Sequence, residues 1–306
     1  MKLAFLLAFA ALLEGNREQD EFRISTDVVL VVLDVSVKNS KGDNVAGLPK
    51  DAFHVVENGV PQNIKVFSNA DVPVVVGLVM DDSGSMRSKR ADVITAGLAF
   101  AGASNPQDQI FVVNFNDKVR RGLPPSLPFT GDVALLRSAL SKDPPAGMTA
   151  MYDALADSLR HLDTGQRDKK ALVLVSDGGD TCSKTTLPEL ITLIQQSHAT
   201  IYTVGVFDPD DPDRNPGLLR RIANLSGGES FIATETEQVI PICKRIAKDI
   251  RTRYTIGYAP EPAGNRAGVH KLQVTAAEKS MGKLKTHTRT TYVVSDAKQP
   301  KPAVAK

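Results

Sequence analysis

Strand and helix patterns alternate along residues 71–251 of this chain, and this alternation restricts the possible folds more than any other feature. Nearly continuous apolar runs, such as residues 72–80 and 109–115, predict strands that are buried on both faces. Longer segments between them, such as residues 89–103, predict helices. This order predicts a doubly wound α/β domain with a mostly parallel, six-stranded sheet.

The segments on either side of that domain have a β pattern. Residues 24–70 and 252–295 contain short β-branched runs separated by Asn, Gly and Pro turns, and residues 62–67 and 287–294 are each predicted as one strand. Neither segment offers enough core to fold alone. We therefore predict that the two segments pair into one smaller all-β sandwich, with the α/β domain inserted between them. Residues 296–306, rich in Lys, Pro and Ala, are predicted to be a disordered tail.

Composition argues against nucleic acid as the partner. The 306 residues carry a net charge of only +2, so no strong electrostatic attraction to phosphate is expected. The chain has no Trp and 5% aromatic residues, which disfavours a base-stacking surface. No nucleic-acid partner is therefore predicted.

The N-terminus predicts export. Lys2 precedes the apolar residues 3–13, which are followed by the polar residues 14–21. This arrangement is typical of a signal peptide and is too short to span a bilayer, although a frayed apolar helix would have the same composition. We predict a signal peptide at residues 1–13, membrane contact only through that segment, and a secreted, periplasmic or cell-surface protein.

Oxygen-bearing side chains stand at or near three predicted strand ends. Asp81, Ser83 and Ser85 follow the first buried strand, Thr149 opens a predicted helix, and Asp177 ends a later strand. Ligands of doubly wound sheets bind at the carboxyl ends of the strands. A cluster of oxygen atoms with few acids suits a hard cation such as Mg²⁺ or Mn²⁺.

Each of these pieces also has a simpler interpretation. Asp81, Ser83 and Ser85 alone would equally fit the start of a helix, where Asp and Ser are common caps. Asp82 is predicted to point to solvent or to support the ligands from behind, and Asp180 is predicted to be a turn residue. The acidic residues 208–213 fit either a Ca²⁺ loop or a solvated loop.

Together, these residues resemble the von Willebrand factor A (VWA) domain with its metal-ion-dependent adhesion site (MIDAS). The resemblance covers about residues 72–251 and rests on D-x-S-x-S at Asp81, Ser83 and Ser85, a lone threonine at Thr149, and an acid followed by glycine at Asp177-Gly178. Met148 departs from the family pattern, because a second glycine is common at that position. The whole chain also resembles an exported bacterial VWA-related family first grouped from Acidobacteria.

The resemblance implies how these residues would act. Ser83, Ser85 and Thr149 would bind a cation directly or alternate with water, and Asp81 and Asp177 would act directly or through water. Mg²⁺ is the implied ion, with Mn²⁺ and Ca²⁺ as alternatives. An exposed Asp or Glu of a partner protein would complete the coordination, and ligand binding is expected to shift the final helix, residues 237–250.

The leading functional hypothesis is an exported, metal-dependent protein-binding module that is not an enzyme and has no small-molecule substrate. One alternative is a metal-assisted hydrolase or phosphoryl-transfer enzyme, because Asp81-Asp82 at a strand end is similar to the acidic pocket of phospho-acceptor domains. Another is a structural envelope protein whose metal braces the loops. The spacing of Cys182 and Cys243 leaves open whether they form a disulfide.

Overall fold

The computed structural model describes residues 30–142, 144–207, 214–261 and 267–294. The strands in these ranges are β1 (Val31–Lys38), β2 (Phe53–Glu57), β3 (Val60–Gln62), β4 (Ile64–Ser68), β5 (Val74–Asp81), β6 (Gln109–Phe115), β7 (Val119–Arg121), β8 (Lys169–Ser176), β9 (Thr200–Val206), β10 (Ser230–Ala233), β11 (Tyr254–Tyr258), β12 (Gly268–Ala276), β13 (Lys285–His287) and β14 (Thr291–Val294). The helices are α1 (Arg90–Ala103), α2 (Val133–Leu140), α3 (Met151–Leu162), α4 (Leu187–Gln196), α5 (Pro216–Ser226) and α6 (Val239–Thr252).

A six-stranded sheet forms the centre of the α/β unit, in the order β10-β9-β8-β5-β6-β7. Its neighbouring strands are parallel except for β7, which runs antiparallel to β6. Every residue of β5 is buried, as the apolar sequence of this strand predicts. The α/β class expected from the alternating pattern is confirmed, with a mixed six-stranded sheet.

Gly77 shows how tightly this sheet is packed. It lies in the middle of β5, directly between Phe111 of β6 and Leu172 of β8 in the strand register. A Cβ atom on Gly77 would lie 2.5 Å from a methyl carbon of Leu172 and even closer to the Phe111 ring. The neighbouring side chains therefore fill the space that any other residue would need.

The segments before and after the α/β unit pair with each other in two antiparallel four-stranded sheets, β13-β1-β11-β4 and β14-β12-β2-β3. Strand β1 pairs with β11, and β2 pairs with β12, so each sheet contains strands from both ends of the described chain. One apolar cluster joins the sheets, with Leu33 and Tyr254 from the first and Phe53 and Leu272 from the second. We call these two sheets the β unit.

Two segments predicted as single strands are divided between the two sheets. Gln62 is the last residue of β3, whereas residues 64–67 lie in β4; His287 is the last residue of β13, whereas residues 291–294 form β14. The second division falls at Arg289, whose buried side chain donates to the carbonyl of Ser197 in the α/β unit. Hydropathy alone does not reveal such a break.

A buried polar cluster joins the two units at the end of α6. The Arg253 guanidinium donates to the Tyr202 hydroxyl (2.9 Å) and to Asp249 Oδ2 (3.2 Å). Asp249 also accepts hydrogen bonds from Ser36 Oγ and the Tyr202 hydroxyl, both at 2.6 Å. The second terminal nitrogen of Arg253 donates to three carbonyl oxygens, those of Asp34, Gly227 and His287. One arginine thus connects β1 and β13 of the β unit with β9, α5 and α6.

Both cysteines, Cys182 and Cys243, are free thiols. No helix among the described residues is long and apolar enough to cross a membrane. The predicted signal peptide at residues 1–13, the acidic loop at 208–213 and the tail at 296–306 lie outside the described residues.

Candidate functional site

The five predicted site residues come together at the carboxyl edge of the central sheet. Asp81 is the last residue of β5, and Ser83 and Ser85 lie in the loop that follows it. Thr149 precedes the start of α3, and Asp177 directly follows β8. Because β5 and β8 are neighbouring parallel strands, their ends bring residues 96 positions apart (81 and 177) to one edge.

Hydrogen bonds connect the first loop to the end of β8. Ser83 Oγ and Ser85 Oγ are 3.1 Å apart, and Ser85 Oγ–H donates to Asp177 Oδ2 at 2.5 Å. Asp81 lies behind these groups, where its Oδ1 accepts the Ser83 N–H (2.9 Å) and its Oδ2 accepts the Ser176 hydroxyl (2.6 Å). Hydrogen bonds to Ser83, Ser85 and Ser176 thus hold the Asp81 and Asp177 carboxylates at one site.

Asp81 is electrostatically unusual. Its burial, together with the nearby Asp177 carboxylate, raises the pKa of Asp81 to about 7, although hydrogen bonds from Ser176 and Ser83 act in the opposite direction. Burial and a like charge both disfavour the ionised form of a carboxyl group. A nearby cation would relieve both effects, since it stabilises the ionised carboxylate.

The capping interpretation of the first loop is wrong. Ser83 precedes a short 3₁₀ turn, Gly84–Met86, but its side chain makes no capping hydrogen bond. The residue that caps α1 is Lys89, again without a side-chain bond. The hydroxyls of this loop therefore point to the site rather than to a helix end.

The second loop places Thr149 beside the first. The Gly84 N–H donates to the Gly147 carbonyl at 3.1 Å, which joins the two loops through their backbones. Gly147 has a φ of +81°, and a Cβ atom there would lie 2.5 Å from Asp117 Oδ1, so glycine is required at this position. Met148, the departure from the family pattern, is 56% exposed and lies at the mouth of the site.

Asp82 does not point to solvent, which is one of the two positions predicted for it. It is buried rather than solvent-exposed, and its carboxylate forms an ion pair with Arg90 at the start of α1. The alternation of a strand explains this difference, because Asp82 follows Asp81 and points to the opposite side. Asp82 thus anchors the first loop to α1 instead of facing the site.

Three polar residues near the site were not singled out from the sequence as contributors. Ser176 holds Asp81, Thr181 Oγ1 accepts the Thr149 N–H at 3.0 Å, and Asp180 Oδ1 accepts the Tyr152 N–H at 3.0 Å. A hydroxyl at the end of the apolar run 171–175 was the only sequence signal for Ser176. The other two contacts join the loop after β8 to Thr149 and to α3, and sequence spacing does not show such contacts.

The loops enclose a cavity of about 380 Å³. It is lined by Ser83, Gly84, Ser85, Gly147, Met148, Thr149, Asp177, Gly179 and Thr181. The potential donors in this lining are hydroxyl, carboxylate and backbone groups, and the one charged side chain is Asp177. Among the described residues no group of three or more His, Cys, Asp or Glu side chains could hold a metal, so any metal here would depend on Ser and Thr oxygens. Such a donor set fits a hard divalent cation that keeps part of its water.

Residues 76–179 match the family model of the von Willebrand factor type A domain. The chain contains a type A domain. The match begins in β5 and ends just after Asp177, so it includes all five predicted site residues. No curated protein sequence matches the chain.

Two solved structures share the fold of this chain. A von Willebrand factor type A protein from Catenulispora acidiphila is 19% identical, with a TM-score of 0.53 over 87% of this chain and 74% of that chain. Proximal thread matrix protein 1 from the mussel byssus is 16% identical, with a TM-score of 0.52 over 64% of this chain and 51% of that chain. At these identities the similarity concerns the fold alone.

Proposed function

We propose that the type A domain binds a divalent cation, Mg²⁺ in the first place, and through it an acidic side chain of a partner protein. The observation that carries this proposal is the convergence of Asp81, Ser83, Ser85, Thr149 and Asp177 from three separate loops around one cavity lined by oxygen donors. Ser83, Ser85, Thr149 and Asp177 would hold the ion, and Asp81 would support it from behind. Mn²⁺ and Ca²⁺ are the alternative ions.

The composition of the site supports a role in binding. Few carboxylates face the cavity, so a bound Mg²⁺ would keep positive charge and water-filled coordination positions. A carboxylate of another molecule is the natural group to replace that water, since it is a hard, anionic oxygen ligand. The chain would then act as an interaction module, and the mussel thread matrix protein shows the same fold in a matrix protein. Export stays a prediction from residues 1–13.

The first experiment measures Mg²⁺ binding to the full chain by calorimetry. Asp81→Asn keeps the size of the side chain but removes its charge and replaces one acceptor oxygen by an NH2 donor. It is expected to weaken Mg²⁺ binding at least tenfold, about 1.4 kcal/mol. Asp117→Asn is the matched control, because it removes a carboxylate near Gly147 that does not line the cavity. Equal Mg²⁺ affinity in the wild type and Asp81→Asn would refute the site.

The second experiment tests the partner chemistry with a short aspartate-containing peptide and its asparagine analogue. The aspartate peptide is expected to bind only in the presence of Mg²⁺, and the asparagine peptide is expected not to bind. If Mg²⁺ binds and raises the melting temperature but neither peptide binds, the metal only braces the loops. If model phosphate or ester substrates are hydrolysed in a Mg²⁺-dependent way that Asp81→Asn abolishes, the site is that of an enzyme.

A further inference from the structure

Helix α3 begins at Met151, two residues after Thr149, without a side-chain cap of its own. Its N-cap residue is Ala150, which has no side-chain oxygen, and no capping bond is made from that position. The first N–H groups of any helix lack partners within the helix, and alanine is among the poorest residues at this position. The start of α3 therefore needs acceptors from elsewhere in the molecule.

The loop after β8, which begins with Asp177, supplies them. Asp180 Oδ1 accepts the Tyr152 N–H at 3.0 Å, and Ser183 Oγ accepts the Asp153 N–H at 3.1 Å. The Ser183 hydroxyl in turn donates to Asp180 Oδ1 at 2.6 Å, so both caps belong to one connected group. The negative charge of Asp180 is also favourable at a helix N-terminus.

The helix returns bonds to the same loop. The Asp153 carboxylate accepts the N–H groups of Lys184 (2.9 Å) and Thr185 (2.8 Å). Burial alone would raise the pKa of Asp153, but hydrogen bonds from Thr185 and Lys184 outweigh it and lower the pKa. Asp153 is therefore ionised at neutral pH and remains a good acceptor.

Thr149 itself is held by this loop. Its N–H donates to Thr181 Oγ1 at 3.0 Å, and its carbonyl accepts the N–H groups of Thr181 (2.8 Å) and Cys182 (3.2 Å). The loop that carries Asp177 is thus bonded both to Thr149 and to the helix that follows Thr149.

We propose that Asp180 is a positioning residue of the metal site: by capping α3 from the Asp177 loop, it fixes Thr149 relative to Asp177 before a cation binds. This inference rests on the proposed function. Without Asp180, the Tyr152 N–H and the Ser183 hydroxyl both lose their acceptor, so only the bonds between Thr149 and residues 181–182, together with the Ser183 cap, still hold Thr149 relative to Asp177. The cation would then have to order these loops as it binds, which lowers its affinity.

The test compares Asp180→Ala with a matched cap at another helix. Asp132 caps α2 in the same way, since its Oδ1 accepts the N–H groups of Ala134 (2.7 Å) and Leu135 (3.3 Å), and it does not line the cavity. Asp180→Ala is expected to weaken Mg²⁺ binding of the full chain about tenfold, the effect of losing about 1.4 kcal/mol. Asp132→Ala is expected to lower the melting temperature to a similar extent but to change the Mg²⁺ dissociation constant less than about twofold.

Two further variants guard against misfolding. Asp180→Asn keeps Oδ1 as an acceptor and is expected to retain Mg²⁺ affinity within about threefold, because Asn and Asp are similar caps. Ser183→Ala removes the acceptor for the Asp153 N–H and the hydroxyl that donates to Asp180 Oδ1, but it leaves the bond from the Tyr152 N–H to Asp180, so it is expected to have an intermediate effect. The inference is overturned if folded Asp180→Ala binds Mg²⁺ as the wild type does, or if Asp132→Ala loses as much affinity.

Amide hydrogen exchange in chelator separates this inference from the proposed function. Asp180→Ala is expected to accelerate exchange at Thr149 and Tyr152 but not at Ala134. If the wild type binds no Mg²⁺, the proposed function fails and the positioning role fails with it, whatever the exchange shows. If the wild type binds Mg²⁺ but the exchange rates of Asp180→Ala are unchanged, only the positioning role fails.

Discussion

Replacement of Arg253 by methionine is expected to destabilise the whole chain strongly. The Arg253 side chain is only 3% exposed and is paired with Asp249, which is equally buried. Methionine fills much of the same volume but leaves the Asp249 carboxylate without a compensating charge. Breaking a buried pair on one side costs about 3–5 kcal/mol. The lost bonds to three backbone carbonyls place Arg253→Met in the upper part of that range.

The assay is urea unfolding, with Arg251→Met as the control. Arg251 is two residues earlier and also forms an ion pair, with Asp71, but its side chain is 40% exposed. Exposed ion pairs contribute about 0–1 kcal/mol to stability, so the free energy of unfolding of Arg251→Met is expected to remain close to that of the wild type. The double variant Arg253→Met/Asp249→Asn is expected to be more stable than Arg253→Met alone, because it removes the unpaired charge.

The result that would refute this reasoning is a small effect at Arg253. If the free energies of unfolding of Arg253→Met and Arg251→Met differ by less than about 1 kcal/mol, then the buried pair of Arg253 and Asp249 does not stabilise the chain as expected. If Arg253→Met unfolds in two separate transitions while the wild type unfolds in one, the cluster acts mainly by joining the β unit to the α/β unit.

Two other predictions concern the core and the effect of acid. Gly77→Ala is expected to lower the free energy of unfolding in urea by about 1–3 kcal/mol, because the added Cβ would overlap Phe111. Gly102→Ala is the control: it has open space at the exposed end of α1 and is expected to raise the free energy of unfolding by about 0.5 kcal/mol. Equal effects of the two variants would contradict the packing described for β5. Burial raises the pKa of Asp249, but Arg253 and the hydrogen bonds to Asp249 outweigh burial and lower it. Because the pKa of Asp249 is lower in the folded state, its ionised form stabilises the fold at pH values above the unfolded pKa of about 4, and this stabilisation is lost as the pH falls through the folded pKa. The difference in free energy of unfolding between the wild type and Arg253→Met is therefore expected to shrink in acid. A constant difference from pH 7 to pH 2 would contradict this.

Much of the α/β unit could be predicted because its local patterns agree with its fold. Helices α2 and α4 each have a clear apolar face and a good capping residue, Asp132 or Thr186, and both signals are local in the sequence. Helix α3 begins two residues later than expected, at Met151 rather than Thr149. The cause is that its caps lie about thirty residues further along the chain, at Asp180 and Ser183.

The candidate site could be predicted in part for a related reason. The order and types of Asp81, Thr149 and Asp177 are visible in the sequence because each stands next to a recognisable element end. The pairing of the Asp82 side chain with Arg90, however, depends on where α1 packs against the first loop. Sequence spacing does not contain that information.

The sequence by itself determined the alternation of strands and helices, the burial of β5 and the positions along the chain of the five candidate ligands. These properties follow from the period of apolar residues and from side-chain chemistry, which are local. The tertiary structure alone decided that residues 287–294 divide between two sheets, that Arg253 joins the two units, and that Asp180 caps the helix after Thr149. Each of these depends on a buried polar group finding a partner far away in the chain, and only the folded packing brings such partners together.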